Sequence, residues 1–286
     1  MVNTPVSPRE NRPARAPLNP EQLIAATPAW RRVHVKESTG STNADVLAML
    51  DDDAPDRIAI VASNQTAGRG RLSRVWESPA GASLAISVLF KPQQLAAEQL
   101  GLLPLVSGLA VVDMIVNEAG IPASDVGLKW PNDVLVRGRK ICGILVEAGS
   151  IDPPALVPGI GINVDLLDDE LPVPHATSLT LEGAKNVNRT ELAAALLNAL
   201  DRREYQWRID TASLMADYRS WCRTIGTEVR VELPGGNFLT GKAVDVRDDG
   251  ELIVTDKTGT SHVVAAGDVQ HLRNAEGGYS SGGGAR

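Results

Sequence analysis

The sequence predicts an α+β protein: a mixed, mostly antiparallel sheet with flanking helices, followed by a small all-β barrel. Three observations predict it. Up to residue 224, short apolar runs of strand character are interleaved with segments whose apolar residues recur at helical spacing. From Gly226 only short strands remain, divided by turn clusters at Pro234-Gly235-Gly236-Asn237, Asp248-Asp249-Gly250 and Lys257-Thr258-Gly259. The chain of 286 residues, 43% hydrophobic and 22% charged, also suffices for one large core and one small one. These features divide it into a tail over 1–18, a large domain over 19–224, a barrel over 225–273 and a Gly/Ser-rich tail over 274–286. Both tails are expected to be disordered, the first for its prolines at positions 5, 8, 13 and 17.

Asn19 and Pro20 are start signals for a helix over Glu21–Ala26, and Val33–Lys36 reads as a strand. Thr42 and Asp45 have capping-box spacing ahead of Val46, Leu47, Met49 and Leu50, which form an apolar helical face. Ile58–Ser63 and Ala82–Phe90 are strands. The run Glu98–Glu118 has no stop signal and reads as one long helix, bent near Pro104 and ended by Gly120. Strands follow at Val126–Trp130, Asp133–Val136 and Lys140–Glu147, the last two joined by a tight turn at Arg137-Gly138-Arg139. Ala155–Val164 adds another strand. Asn188–Arg208 is a helix with Leu192, Leu196, Leu197 and Leu200 on one face. Tyr218–Thr224 leads into the barrel, whose strands are Glu228–Leu233, Phe238–Val246, Glu251–Thr255, Ser261–Ala265 and Val269–Leu272.

Composition argues against several function classes. A net charge of −7 repels nucleic acid in general, so any anion site is local and no DNA partner is expected. The run around Leu102–Val112 is broken by Pro104, Ser107 and Gly108 and reads as too short for a membrane span. The N-terminal segment has no signal-peptide core, which places the protein in the cytoplasm. Cys142 and Cys222 have no metal or redox spacing and read as buried apolar side chains. His34, His175, His262 and His271 have no ligand spacing and read as structural or exposed. The sequence leaves the oligomeric state open, a homodimer among the options.

Chemistry concentrates in four places. Asn64–Trp76, NQTAGRGRLSRVW, sets Arg69, Arg71 and Arg74 among glycines directly after an apolar strand, an arrangement able to wrap a polyanion such as a nucleoside triphosphate. By composition alone it equally fits a solvated arginine loop. Lys129–Glu147, KWPNDVLVRGRKICGILVE, places Asn132 and Asp133 at a strand end suited to a nucleotide and its metal, with Lys140 opening the next strand. Ser41-Thr42-Asn43 stands at a helix start, where hydroxyls ordinarily cap. Gly159–Val164, GIGINV, is a glycine alternation that lets a ligand lie against a strand.

In their order and spacing, AGRGR with a later Arg and Trp76, KWPND with RK and GIL, STN and GIGINV resemble the biotin protein ligases. The resemblance runs from about Trp30 to Arg273 and implies a class II synthetase-like, biotinyl/lipoyl-transferase fold with an SH3-like C-terminal barrel. It implies biotin and ATP as substrates with Mg2+, and a biotin carboxyl carrier domain of acyl-CoA carboxylases as partner. Carried over residue by residue, Lys140 holds the biotin carboxylate and the phosphate it attacks. Ser41, Thr42, Asn43 and Gln65 contact the ureido ring, each of whose polar groups would cost about 1–3 kcal/mol if buried without a partner. Gly159 and Gly161 flank biotin, Arg69, Gly70 and Arg71 close over it, and Arg71, Arg74, Trp76, Lys129, Asn132 and Asn163 serve ATP. Asp133 is the candidate for Mg2+. Arg69, Arg71 and Lys140 form the catalytic set.

Two positions depart from the family pattern. Cys142 stands where a small residue such as Ala is usual, and it packs as one. Ser73 stands where Gly is common, so the loop is expected to order more slowly or adopt another backbone conformation. Only 40 residues precede Ser41, fewer than the roughly 50 a folded domain needs, so the expectation is a ligase without the DNA-binding domain of some relatives. Rival readings are a lipoate or octanoate transferase of related fold, whose acyl pocket needs no ureido partners, and a non-catalytic module that binds through the barrel.

Overall fold

In the computed structural model, residues 14–50, 54–92, 95–149, 155–233, 236–265 and 267–272 are described. Residues 1–13 of the expected N-terminal tail, Arg273 at the expected end of the barrel, the expected tail over 274–286 and the turn residues Pro234 and Gly235 lie outside them. The described residues form two sheets. The larger has seven strands in the order β1-β2-β3-β7-β6-β5-β4, the smaller five in the order β11-β10-β9-β8-β12. The first comprises β1 (Arg32–Lys36), β2 (Ile58–Ala62), β3 (Ser83–Leu89), β4 (Val126–Lys129), β5 (Asp133–Val136), β6 (Arg139–Gly149) and β7 (Ala155–Asn163). Only β1 and β2 pair parallel, so the sheet is mixed and mostly antiparallel, as the sequence predicts.

One face of this sheet is closed by helices. α1 (Pro20–Ala25), α3 (Ala97–Leu100), α4 (Leu103–Asn117), α5 (Arg189–Ile209) and α6 (Thr211–Trp221) accompany the core in which Ile86, Ile144, Ile160 and Ile162 are buried. α4 lies directly on the strands: a Cβ on Gly108 would come within 3.1 Å of the Leu128 side chain. Two expectations are corrected here. Glu98–Glu118 is not one bent helix, because Gly101 and Leu102 separate α3 from α4 and Pro104 falls in the first turn of α4, where its missing N–H removes no bond. Nor is the apolar run short, since Glu98–Asn117 has the length and composition of a membrane span, but 67% of its most apolar 18-residue window is buried and α4 lies in the core. Tyr218 belongs to α6, a helix the sequence reading passed over, and its side chain is fully buried.

The opposite face carries α2 (Thr42–Leu47) at one end and the Trp76 side chain over Gly143 and Gly161. Ser41, not Thr42, caps α2, and Asp45 binds Lys36 and Thr39 rather than closing a capping box. The end of the expected N-terminal tail is held: Arg15 bonds Asp165 and Glu170, and Leu18 is buried. An ion pair and an apolar anchor supply what composition alone did not show.

The second sheet, β8 (Glu228–Glu232), β9 (Phe238–Val246), β10 (Leu252–Asp256), β11 (Ser261–Val264) and β12 (Asp268–His271), is antiparallel throughout, with alternating burial along β8 and a bulge in the β9–β10 pairing. It packs on the large domain. The indole N–H of Trp130 donates to Gly250 O at 2.8 Å, and a Cβ on Gly250 would meet Leu102 at 2.8 Å.

Candidate active site

A cavity of about 640 Å³ opens on the α2 side of the large sheet. Its floor is β6 and β7, where Gly143 and Gly161 are register partners. The glycine alternation accommodates the protein's own side chains. A Cβ on Gly161 would lie 2.6 Å from the Trp76 indole, and one on Gly143 would lie 3.1 Å from it. A Cβ on Gly159 would lie 2.0 Å from Asn43 Oδ1. Asn43 and Trp76 are thus the side chains nearest Gly159 and Gly161, both of which line the cavity.

Lys140 reaches the cavity because β6 changes face. Gly143, Leu145 and Glu147 alternate on the α2 side, so strict alternation would present Ile141 there and turn Lys140 away. The β5–β6 register instead shifts between Val134 and Leu135, which pair with Cys142 and Lys140. A bulge of this kind re-aims a side chain. Ile141 and Cys142 are both fully buried in the core, and Lys140 and Leu135 both line the cavity. Lys140 Nζ lies 2.6 Å from Asp133 Oδ1 and 6.0 Å from the Trp76 ring centroid. Lys129 adds a second cation 3.7 Å from the other Asp133 oxygen. Burial pushes the Asp133 carboxyl up, but Lys140, Lys129 and Arg71 outweigh it and hold the group below its ordinary value. Burial pushes the Cys142 thiol well up, so it stays protonated and packs as an apolar side chain.

The arginine loop closes on itself as a small hairpin. Trp76 N donates to Gly68 O and Gly70 N to Arg74 O, and a Cβ on Gly68 would lie 2.3 Å from Trp76 O. The tip, Arg71–Ser73, is a 3-10 turn whose left-handed residue is Leu72, φ 54, so the uncommon conformation adjoins Ser73. Each arginine has an anchor. Arg69 bonds Glu147 at 2.9 Å; Arg71 bonds Asn132 Oδ1 and Gly267 O, both at 3.0 Å; Arg74 pairs with Asp268. Burial lowers the Arg71 guanidinium, opposed by Asp268 and Asp133, whereas the hydrogen bond to Asp268 raises Arg74. Both remain cations at neutral pH.

At the α2 end, Gln65 Oε1 accepts from Thr42 N at 2.8 Å and from the Thr42 hydroxyl at 3.0 Å, which fixes its amide orientation. Ser41 is the N-cap and lines the cavity. Asn43 has both ends of its amide engaged: Oδ1 accepts from Ser87, and Nδ2 donates to Glu147 and to Leu145 O. Asn163, 2% exposed, donates its Nδ2 to Thr177 O.

All sixteen predicted site residues, Ser41, Thr42, Asn43, Gln65, Arg69, Gly70, Arg71, Arg74, Trp76, Lys129, Asn132, Asp133, Lys140, Gly159, Gly161 and Asn163, line this one cavity. Sequence reasoning missed Glu147, Ser87, His175 and the barrel residues Asp268 and His271. Glu147 carried a signal, an acid in phase with Gly143 and Leu145 on an apolar strand. His175 and His271, whose spacing predicts a structural or exposed role, also line the cavity; burial lowers both imidazoles, His271 to about 4. The barrel residues had no such signal, since only tertiary packing brings β12 to the loop.

The profile of the biotin/lipoate A/B protein ligase family matches residues 35–164, and that of the biotin protein ligase C-terminal domain matches residues 224–272. Over 254 residues the chain is 44% identical to biotin–[acetyl-CoA-carboxylase] ligase of Mycobacterium tuberculosis, an alignment covering 88% of this chain and 94% of that one. The chain belongs to the biotin protein ligase family. Among solved structures, the biotin protein ligase of Aquifex aeolicus in complex with biotin and ATP superposes with a TM-score of 0.70 at 27% identity, covering 86% of this chain and all of that one. The biotin protein ligase of Leishmania major in complex with biotinyl-5-AMP superposes with a TM-score of 0.60 at 27% identity, covering 82% and 99% of the two chains. The mixed sheet with an appended β-barrel is thus the architecture of biotin protein ligases, and the barrel sequence matches that family's C-terminal domain.

Proposed function

We infer that the chain is an ATP-dependent ligase that forms biotinyl-5′-AMP from biotin and ATP and transfers the biotinyl group to a lysine of a biotin carboxyl carrier domain. The observation that carries this reading is the convergence of Arg69, Arg71, Arg74, Lys129 and Lys140 on one cavity in a chain whose net charge is −7. Two anions have to meet there. The biotin carboxylate attacks the α-phosphorus of ATP, a carboxyl–phosphorus bond forms, and the bond to pyrophosphate breaks. In a partly water-excluded site, cations placed beforehand stabilise the charge of that transition state without reorganising.

Lys140, rooted on the bulge, holds the carboxylate and the attacked phosphate. Arg69 and Arg71 come from the loop above, and Arg74, Trp76, Lys129, Asn132 and Asn163 serve the nucleotide. Ser41, Thr42 and Gln65 face the ureido ring. Gln65 Oε1 is already taken by Thr42, so its Nε2 is left to donate to the ureido carbonyl. Asn43 supports them from below, resting on Gly159. In the second half-reaction the carrier lysine attacks the acyl carbonyl and AMP leaves; the Gly68–Trp76 hairpin keeps water from the mixed anhydride until then.

Magnesium arrives with ATP. Among the described residues no group of three His, Cys, Asp or Glu gathers for a metal; Asp133, ionised and on the cavity wall, would be the carboxylate offered to this ion. One carboxylate together with substrate phosphates is an ordinary Mg2+ arrangement.

The test mixes purified protein with biotin, MgATP and a biotin carboxyl carrier domain and looks for biotin on the carrier lysine and pyrophosphate in solution. Neither product forming from folded protein sinks the reading. Stimulation by lipoate instead of biotin moves it to the related acyl ligases.

A further inference from the structure

Glu182 is a carboxylate whose side chain has 0% exposure, in a place no step of the reaction reaches. A buried charge persists only when paired and hydrogen-bonded. Here Arg137 Nη1 donates at 2.9 Å, Arg139 Nη2 at 2.7 Å and the Thr177 hydroxyl at 2.7 Å. Both arginines flank the β5–β6 turn, where Arg137 and Gly138 have φ 47 and 76. The carboxylate therefore fastens the segment 175–182 to the tip of that hairpin.

The other end of this segment meets the cavity at Lys140. His175 O accepts from Lys140 N at 2.8 Å, and Thr177 N donates to Lys140 O at 2.9 Å, so both backbone groups of the lysine are bracketed where the bulge disturbs its pairing with β5. Thr177 O in turn accepts from Asn163 Nδ2 at 2.9 Å. The three polar groups of Thr177 thus reach Lys140, Asn163 and Glu182.

We propose that Thr177, held by Glu182, is a positioning residue of the ligase: it fixes the root of Lys140 and the amide of Asn163 relative to each other. This rests on the roles given above to Lys140 and Asn163. Lysine ends in a compact charge on a flexible stem, so the ammonium is no better placed than the backbone it grows from. A bulge is the part of a strand where that backbone is least fixed by its ladder, and misplacing a reacting group by about 1 Å costs on the order of 100-fold in rate. The hydroxyl of Thr177 binds a carboxylate, a charge-assisted and therefore strong contact. It is the link through which the buried cluster reaches the site.

The test uses the full chain and biotin-dependent exchange of pyrophosphate into ATP. Thr177→Val keeps side-chain shape and removes only the hydroxyl; Thr177→Ser keeps the hydroxyl. The Val variant is expected to lose about 10-fold in kcat, with KM for ATP and biotin within about 3-fold of parental, and the Ser variant to stay near parental. In a Lys140→Ala background, Thr177→Val is expected to add less than about 2-fold, because with the ammonium gone its placement relative to Asn163 no longer affects the rate. If the Val variant does not fold, Arg139→Gln, at a residue 40% exposed, takes its place, with the same kcat loss and the same non-additivity. An unchanged kcat, or the full loss repeated in the Lys140→Ala background, overturns the proposal. A parental protein that exchanges no pyrophosphate with biotin overturns the ligase reading itself.

Discussion

Lys140 and Asp133 form an ion pair of 2.6 Å that faces the cavity only because the bulge at Lys140 and Ile141 reverses the alternation of β6. The pair directs the lysine ammonium to the cavity wall. It also keeps Asp133 ionised despite its burial.

Lys140→Ala removes a charge-assisted contact to the reacting carboxylate worth about 1.5–3 kcal/mol, so adenylation is expected to fall roughly 10- to 150-fold. Single-turnover formation of biotinyl-5′-AMP measures it. A variant adenylating at the parental rate removes the lysine from the mechanism.

Arg71 joins the loop to Asn132 of the large domain and to Gly267 of the barrel, so Arg71→Gly cuts both tethers at once. The expected result is a leaky enzyme, which still forms some adenylate but releases it to label bystander proteins. Counting biotin on an added inert protein checks this, and equal retention of the intermediate by both forms counts against it.

Gly161→Ala places a methyl 2.6 Å from the Trp76 indole, with the strand fixed on both sides by β3 and β6. The ring has to leave its floor. We expect KM for ATP to rise about 10-fold, a change of about 1.4 kcal/mol, together with an altered near-UV circular dichroism spectrum. A parental KM separates Trp76 from nucleotide binding.

His271 is held to about 4 by burial and by Lys129, with Thr224 Oγ1 3.0 Å from its Nε2. Its folded value lies below the unfolded one, so the unfolded chain takes up the proton first as pH falls. The neutral imidazole therefore contributes fully above about pH 6.5, and its contribution, of order 3 kcal/mol, is lost progressively down to about pH 4. Thermal unfolding between pH 7 and 4.5 should show this loss. His271→Gln, which keeps an acceptor for Thr224, should flatten the curve; parallel curves for the two proteins refute the assignment.

Much of the site could be read from residue order. By composition alone the arginine loop fits a solvated loop equally well; it is the order and spacing of Gly68-Arg69-Gly70-Arg71, Lys129–Asp133 with Lys140, and Gly159–Asn163, which resemble those of the biotin protein ligases, that singled out residues lining one cavity. The strands were legible because period-two patterns and turn residues act over a few positions. Harder to read were the break at Gly101 and Leu102, which interrupts an unbroken apolar pattern, and the cap of α2, where Ser41 and Thr42 offer the same hydroxyl.

What the sequence determined alone was the set of charges and the strands and turns that carry them, since propensity, alternation and turn chemistry are properties of neighbouring residues. Tertiary structure decided which charges meet. Only packing could turn Lys140 toward Asp133 through a one-residue bulge, bring Gly267 and Asp268 of the barrel onto Arg71 and Arg74, and bury Glu182 among Arg137, Arg139 and Thr177. Those contacts join positions far apart along the chain, and their energies depend on burial and distance, quantities that exist only once the chain has folded.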